Sequence, residues 1–223
     1  MIMPMPTSGQ PHQPEIRSRL SAPRLARYER SSGGDVDAAL DLYLWNARVS
    51  AAFFESLHLL EVGLRNTMHD ELQNWVVQQS SSAAGLPWYV DPFVPLTRRA
   101  RDKIAEARGR VRADGRAELP GRVVAELSFG FWWSLLAEHY NRHLWSPCLR
   151  FAFPGARRAR LHGDLGTLLR LRNRIAHHEP VYGRDLAHDW QRLVDTTVRI
   201  SPVYADWVRE SSRVPAVLAD RAP

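Results

Sequence analysis

Residues 172–178, with the sequence RNRIAHH, bring an arginine, an amide and two imidazoles within two helical turns. Arginine can hold a phosphate group through paired hydrogen bonds, and histidine can take up or release a proton near neutral pH. RNA supplies its own nucleophile, the 2′-hydroxyl, so its cleavage requires only a base, an acid and positive charge at the phosphate. We therefore identify Arg172 and His177 as candidate catalytic residues. Asn173 would orient the imidazole or the phosphate, and His178 would support them.

A single helix within the stretch 161–182 is expected to position this motif. At about 100° per residue, Arg172 falls in the middle of an apolar stripe formed by Leu161, Leu165, Leu168, Leu169, Ile175 and Ala176. An ion buried without a partner is strongly unfavourable, so this guanidinium should face a ligand or a carboxylate. Pro180 disfavours helical geometry at the residue before it, which predicts a helix end near His178.

Helical geometry favours the first of the two histidines as the catalytic one. His177 lies about 40° from Asn173 around the helix axis, beside the stripe that contains the motif arginine. His178 turns toward the solvent face with Arg170 and Arg174. The assignment would reverse if the helix unwound before its predicted end.

Several residues outside the motif are candidates for a supporting role. Glu61 and Arg65 lie one turn apart on another predicted helix, where Glu61 can pair with Arg172, and Arg65 with Asn66 can line the site. The remaining candidates would contact RNA. Positive charge is unfavourable at a helix N-terminus unless it binds an anion, so RNA phosphate is the expected partner of Arg157, Arg158 and Arg160. Tyr182 could stack on a base. A tolerated basic surface and a packed tyrosine are the alternatives.

No metal or other cofactor is expected. Four histidines could supply imidazole ligands, but none has the spacing of a known zinc motif; they are His162, His177, His178 and His188. Cys148 is the only cysteine, so an internal disulfide and a cysteine-based zinc cluster are both excluded.

Composition favours an anionic partner in the cytoplasm. The 223 residues carry a formal net charge of +6, and the sequence pI is about 10.1, which is typical of proteins that bind nucleic acid. No apolar run reaches the ~18 residues of a membrane span, and the first residues lack the features of a signal peptide. We therefore expect a cytoplasmic protein that makes no membrane contact.

Hydrophobic periodicity predicts an all-α fold with one domain over residues 16–210, preceded by a disordered tail at 1–15 and followed by a frayed tail at 211–223. The longest helical pattern, 36–79, is expected to bend or break near Ser50 into two consecutive helices, because helices of this length are rare. Residues 80–95 and 142–154 are expected to be irregular, with Trp88, Tyr89 and Phe93 anchoring the first of these segments. The aromatic cluster after Leu127 is expected to belong to the core. Further helices are predicted at 22–30, 97–112, 123–139, 186–200 and 202–209.

Residues 172–177 match the Arg-x4-His motif of HEPN domains, and RNRIAHHEPVY resembles the Abi-like (AbiD/AbiF type) abortive-infection proteins more narrowly. Two further segments, LLEVGLRNT at 59–67 and ELSFGFWWSL at 126–135, resemble the other signature segments of that family in the same order. The resemblance covers roughly residues 20–200. It implies a HEPN-like helical bundle with additional peripheral helices.

This resemblance also implies a function, a metal-independent endoribonuclease that limits phage spread. RNA would be the substrate, with tRNA as one candidate, and an antitoxin is a further expected partner. Because one protomer offers a single motif histidine while cleavage uses both a base and an acid, we expect a homodimer that joins two motif helices across a shared cleft. The alternatives are a non-catalytic module that binds RNA or protein and, third, a metal hydrolase.

Overall fold

The computed structural model describes residues 13–79 and 85–221, and these residues form helices without any β-strand. The predicted all-α class is confirmed. None of the helices in this part of the chain is long and apolar enough to cross a membrane. The α-helices are α1 (Gln13–Leu20), α2 (Ala22–Ser31), α3 (Val36–Gln78), α4 (Arg98–Ala113), α5 (Pro120–Ala125), α6 (Phe129–Ser134), α7 (Arg158–Ala176), α8 (Leu186–Ile200), α9 (Pro202–Ser211) and α10 (Val214–Ala219).

Helix α3 is the central element, and it runs for 43 residues without interruption. Asp35 caps it by accepting hydrogen bonds from the backbone N–H groups of Asp37 and Ala38. The predicted break near Ser50 is therefore wrong. The helix, about 64 Å long by the standard rise, packs against α2, α7, α8 and α10. Burial of one face along its whole length supports a helix that local propensity would not sustain.

The aromatic cluster after Leu127 lies in the core, as predicted, but it does not lie on one helix. Phe129, Phe131 and Trp132 are buried. The expected helix at 123–139 is instead divided into α5, α6 and a 3-10 turn at Glu138–Tyr140. Ser128 starts α6, because its backbone is extended and its side chain accepts a hydrogen bond from the N–H of Phe131.

The segment after α6 is more regular than its prolines predicted. Asn141–Leu149 forms a π-helix with Pro147 inside it. Proline has no N–H to donate and clashes with the preceding turn, so a wider turn suits it better than an α-helical one. The segment buries Leu144, Trp145, Cys148 and Leu149, which ties it to the body of the protein.

Residues 211–221 are held against the body of the protein, which corrects the prediction of a frayed tail from 211 onward; residues 222–223 lie outside the described residues. Val214 in α10 is fully buried, and the indole N–H of Trp45 donates to the carbonyl of Val217 over 3.0 Å. Arg213 adds an ion pair with Glu55. At the other terminus, the expected tail at 1–15 lies mostly outside the described residues, although α1 already begins at position 13.

Two of the three aromatic residues expected to anchor the connection between α3 and α4 do so. Trp88 and Tyr89 are buried, and the Trp88 indole N–H donates to Nδ1 of His69 over 2.8 Å. Phe93, which we also expected to anchor this loop, is instead 79% exposed.

Candidate functional site

The motif helix α7 ends at its first histidine with an unusual backbone turn. His177 is the C-cap, and His178 follows with a φ of 54°, in the left-handed region that favours glycine. Two hydrogen bonds close the turn, from the N–H of His178 to the carbonyl of Ile175 and from the N–H of Glu179 to the carbonyl of Arg174. This is the Schellman arrangement with histidine in the glycine position. Both imidazoles are exposed at the negative end of the helix dipole.

Arg172 faces the carboxylate that the sequence suggested. Its Nε lies 3.9 Å from Oε2 of Glu61, and the two side chains are 35% and 21% exposed. The distance is at the outer limit of an ion pair, so the contribution to stability is about 1 kcal/mol or less. The other carboxylate oxygen of Glu61 accepts the N–H of Phe129 over 2.9 Å, at the start of α6. Glu61 is thus held by α6, and Arg172 keeps its own N–H groups largely free.

The buried face of α7 differs from the predicted apolar stripe, and the difference explains how the charge of Arg172 is accommodated. The fully buried positions are Leu161, Leu165, Leu168 and Leu171, whereas Ala176 is exposed and Leu169 is half-buried. Arg172 therefore lies at the edge of the buried face and not in its middle, where its aliphatic stem can pack while its guanidinium reaches solvent.

Arg65, one turn after Glu61 on α3, contributes a second guanidinium. Its Nε is buried and has no hydrogen-bond partner among the described residues. Asn66 is exposed, as is Asn173 on α7. Asn173 contributes to the turn through its backbone carbonyl, which accepts the N–H of His177 over 3.0 Å. Arg65 and Glu61 thus lie on the same face of α3, one helical turn apart.

The two arginines on either side of the motif differ from each other. Arg170 is exposed, as predicted. Arg174 turns back and donates from Nε and Nη2 to the carbonyl of Pro180, over 3.2 and 2.6 Å, with Glu179 at 3.7 Å. Arg174 therefore stabilises the turn after the helix and is not free to contact a ligand with these two groups.

The basic residues at the start of α7 are distant from the motif. Arg157 and Arg160 line a cavity of about 700 Å³ with Asp164, Asp195 and Arg199. Arg158 is instead bonded to the carbonyl of Leu136 and to the carboxylate of Glu138, so its predicted contact with RNA is not supported. The helix separates this cavity from His177 by about 25 Å.

Tyr182 is packed and does not present a free face for stacking on a base. Its hydroxyl hydrogen-bonds to Ser31 Oγ and to the carbonyl of Arg27, and its ring lies 5.0 Å from that of Tyr28. The alternative of a packed tyrosine is therefore the correct one. Its role is to fasten α2 to the segment that follows the motif.

A second cavity, which the sequence did not reveal, adjoins the end of the motif. It measures about 690 Å³ and lies between α2, α3 and the turn after α7. Tyr43, Leu44, Ala47 and Phe54 belong to the apolar pattern of α3, yet Phe54 and Leu44 are exposed by 45% and 40%. Buried Asn46 was the available signal, since a polar residue inside an apolar pattern marks a specific contact.

No group of three or more histidine, cysteine, aspartate or glutamate side chains in the described part of the chain is placed to hold a metal ion. Comparison of the chain with protein-family models, with curated proteins and with solved structures found no match.

Proposed function

We propose that this protein is a metal-independent endoribonuclease of abortive-infection type, with Arg172 and His177 as its catalytic residues. The observation that best supports the proposal is the geometry at the end of α7. A half-buried guanidinium and an exposed imidazole are held five residues apart on one helix, and the carboxylate beside the guanidinium is occupied by the backbone of α6. Such an arrangement can bind a phosphate without losing its orientation.

The reaction needs one guanidinium and two imidazoles. One imidazole accepts the proton of the ribose 2′-hydroxyl, whose oxygen then attacks the adjacent phosphorus. The bond from phosphorus to the 5′-oxygen breaks, and a second imidazole donates a proton to that oxygen. Arg172 binds the non-bridging oxygens, where negative charge increases in the transition state. The products are a 2′,3′-cyclic phosphate and a 5′-hydroxyl.

The second imidazole would come from a second copy of the chain. A homodimer related by two-fold symmetry brings two copies of His177 to one cleft without another motif. The interface cannot use the leucine stripe of α7, because Leu168 is fully buried within its own protomer. A charge at Leu168 would therefore unfold the protein and would not test the dimer. The exposed face of α7 and the surface beside it are the parts available for pairing.

Substitution of single residues tests the assignment of catalytic groups. We expect His177→Ala and Arg172→Ala to lower the rate of RNA cleavage by at least about a hundredfold, the usual effect of removing a proton-transfer group or a charge-stabilising group. Arg99→Ala, an exposed arginine on α4, is the control and should keep its activity. An active His177→Ala beside an inactive His178→Ala would reverse the assignment.

Mixing distinguishes a shared site from a site within one protomer. Equal amounts of wild type and His177→Ala, allowed to exchange subunits, should retain about a quarter of the activity of the same total amount of wild type if both histidines are needed. A monomer would retain about half. Light scattering at micromolar concentration gives the oligomeric state directly.

A non-catalytic module that binds RNA or a protein such as an antitoxin is the second candidate. It is favoured by the exposed arginines around the cavity at the start of α7, which lie far from the motif. Tight RNA binding without cleavage in any buffer would support it. Cleavage that stops when EDTA is added would instead indicate a metal hydrolase.

A further inference from the structure

The cavity beside the end of α7 is bounded by α2, by α3 and by the turn after α7. Its floor is α3, where Ala47 and Ala51 lie one turn apart between the larger side chains of Tyr43 and Phe54. Alanine carries only a methyl group, so the two leave a gap along a stretch of helix about 16 Å long. The volume of about 690 Å³ lies in the range typical of small-ligand sites, about 300–1,000 Å³.

Aromatic rings form the ends of this gap. Phe54 presents an exposed face, to which a base can stack regardless of its sequence identity. At the other end, Tyr43 is held by Tyr28, with ring centroids 5.0 Å apart. Burial, with Tyr43 and Tyr182 nearby, raises the pKa of Tyr28 to about 12, so its phenol stays neutral. The tyrosine wall therefore adds no charge that would repel a nucleotide.

One polar group in the cavity has hydrogen-bonding capacity that the protein does not use. Asn46 accepts the N–H groups of Val181 and Tyr182 with its Oδ1, over 2.8 and 3.1 Å. Because two donors fix that atom as the oxygen, the Nδ2 amino group is left to donate elsewhere.

Charged groups of opposite sign complete the lining. Arg24 reaches from α2 and donates Nη1 to the carbonyl of His178 over 2.9 Å. Glu179, the next residue, also lines the cavity and is exposed. The Watson–Crick edge of guanine has two adjacent donors, N1–H and the N2 amino group, beside one acceptor, O6. A carboxylate can accept from both donors together, whereas adenine, cytosine and uracil each place an acceptor within that pair of positions.

We propose that this cavity binds an unpaired guanine base of RNA, with the Glu179 carboxylate on its N1 and N2 groups and Asn46 on its remaining polar atoms. The inference rests on the proposed function, because it names the nucleotide that precedes or follows the bond cleaved at His177. Since His178 lines the cavity and His177 precedes it in the chain, a base bound here would lie next to the catalytic imidazole.

Binding of mononucleotides tests the cavity without any need for cleavage. Titration of the full-length protein by calorimetry with guanosine 3′-monophosphate should give a dissociation constant at least about tenfold lower than with the adenosine, cytidine or uridine 3′-monophosphates. Glu179→Gln should remove most of this preference. It also removes the ion pair with Arg174, which is too exposed to affect folding appreciably.

Filling the cavity provides a variant that leaves the core intact. Ala51 is exposed, so Ala51→Trp adds its ring to the cavity and not to the packed interior. We expect it to abolish guanosine 3′-monophosphate binding. Ala38→Trp is the matched control, because Ala38 is also exposed on α3 but lies outside the cavity. It should bind as wild type does, and circular dichroism should show that both variants keep the helical content.

The outcomes separate this inference from the nuclease assignment. Equal binding of all four nucleotides, or unchanged guanosine binding by Ala51→Trp, would overturn the guanine site even if the protein cleaves RNA. The same conclusion follows if Ala51→Trp changes only the oligomeric state, since the cavity would then hold a second copy of the chain. Preferential guanosine binding by a protein that cuts no RNA would support the site and overturn the nuclease proposal.

Discussion

Replacement of His178 by glycine is expected to stabilise the protein, although it removes a side chain. The φ of 54° places His178 in the left-handed region, which is unfavourable by roughly 1–2 kcal/mol for a residue with a Cβ. Glycine avoids this strain but loses roughly 0.5–1 kcal/mol more backbone entropy on folding. Because the imidazole is exposed, little packing is lost. The net change in the free energy of unfolding should be an increase of about 0.5–1 kcal/mol.

The neighbouring histidine supplies a control with the opposite sign. His177 is also exposed, but its φ of −92° is ordinary for any residue. His177→Gly should therefore lower the free energy of unfolding by about 0.5–1 kcal/mol through entropy alone. Urea denaturation followed by circular dichroism measures both changes. Equal destabilisation by the two substitutions would refute the left-handed turn and, with it, the position at which α7 ends.

Three further predictions concern the body of the fold. Burial lowers the pKa of His69, despite the opposing effect of Asp70. The neutral ring, which accepts a hydrogen bond from Trp88, therefore stabilises the protein fully above pH 6.5. This stability is lost as the pH falls through the lowered folded-state pKa. His69→Asn, which keeps an acceptor but cannot titrate, should flatten the acid side of the stability curve, whereas the exposed His58→Asn should not. Burial raises the pKa of the Cys148 thiol to about 12, so a disulfide reagent should modify it only after denaturant is added; rapid labelling of native protein would contradict the burial. Val214→Ala should lower the free energy of unfolding by about 2 kcal/mol, and a change near zero would show that α10 is frayed after all.

Local sequence signals were sufficient for the motif helix. Its apolar period and Pro180 predicted a helix with an end near His178, and the helix ends at Ala176. The pairing of Arg172 with Glu61 was also predictable, because a guanidinium near a buried face needs a carboxylate and Glu61 interrupts a long apolar pattern. The position of the arginine in the middle of the stripe was predicted incorrectly, because only a few tens of degrees around the helix axis separate the middle of a stripe from its edge.

Features that depend on distant contacts were not predictable. The continuity of α3 results from packing by helices that lie far apart in sequence, and local propensity contains no information about them. The cavity beside the motif combines Arg24, Asn46 and Glu179, which come from three separate elements. Its alanines look like ordinary core positions in a helical pattern, and only the packing shows that they face outward.

The chemistry of the cleaved bond tests the central proposal most directly. Purified protein should be incubated with RNA in the presence of EDTA, alongside an otherwise identical substrate with 2′-deoxyribose at the cleaved position. The proposed mechanism predicts cleavage of the RNA to 2′,3′-cyclic phosphate and 5′-hydroxyl ends, no cleavage of the deoxy substrate, and loss of activity in Arg172→Ala and His177→Ala. Cleavage of the deoxy substrate at the normal rate would contradict the mechanism, and so would ends that carry a 5′-phosphate.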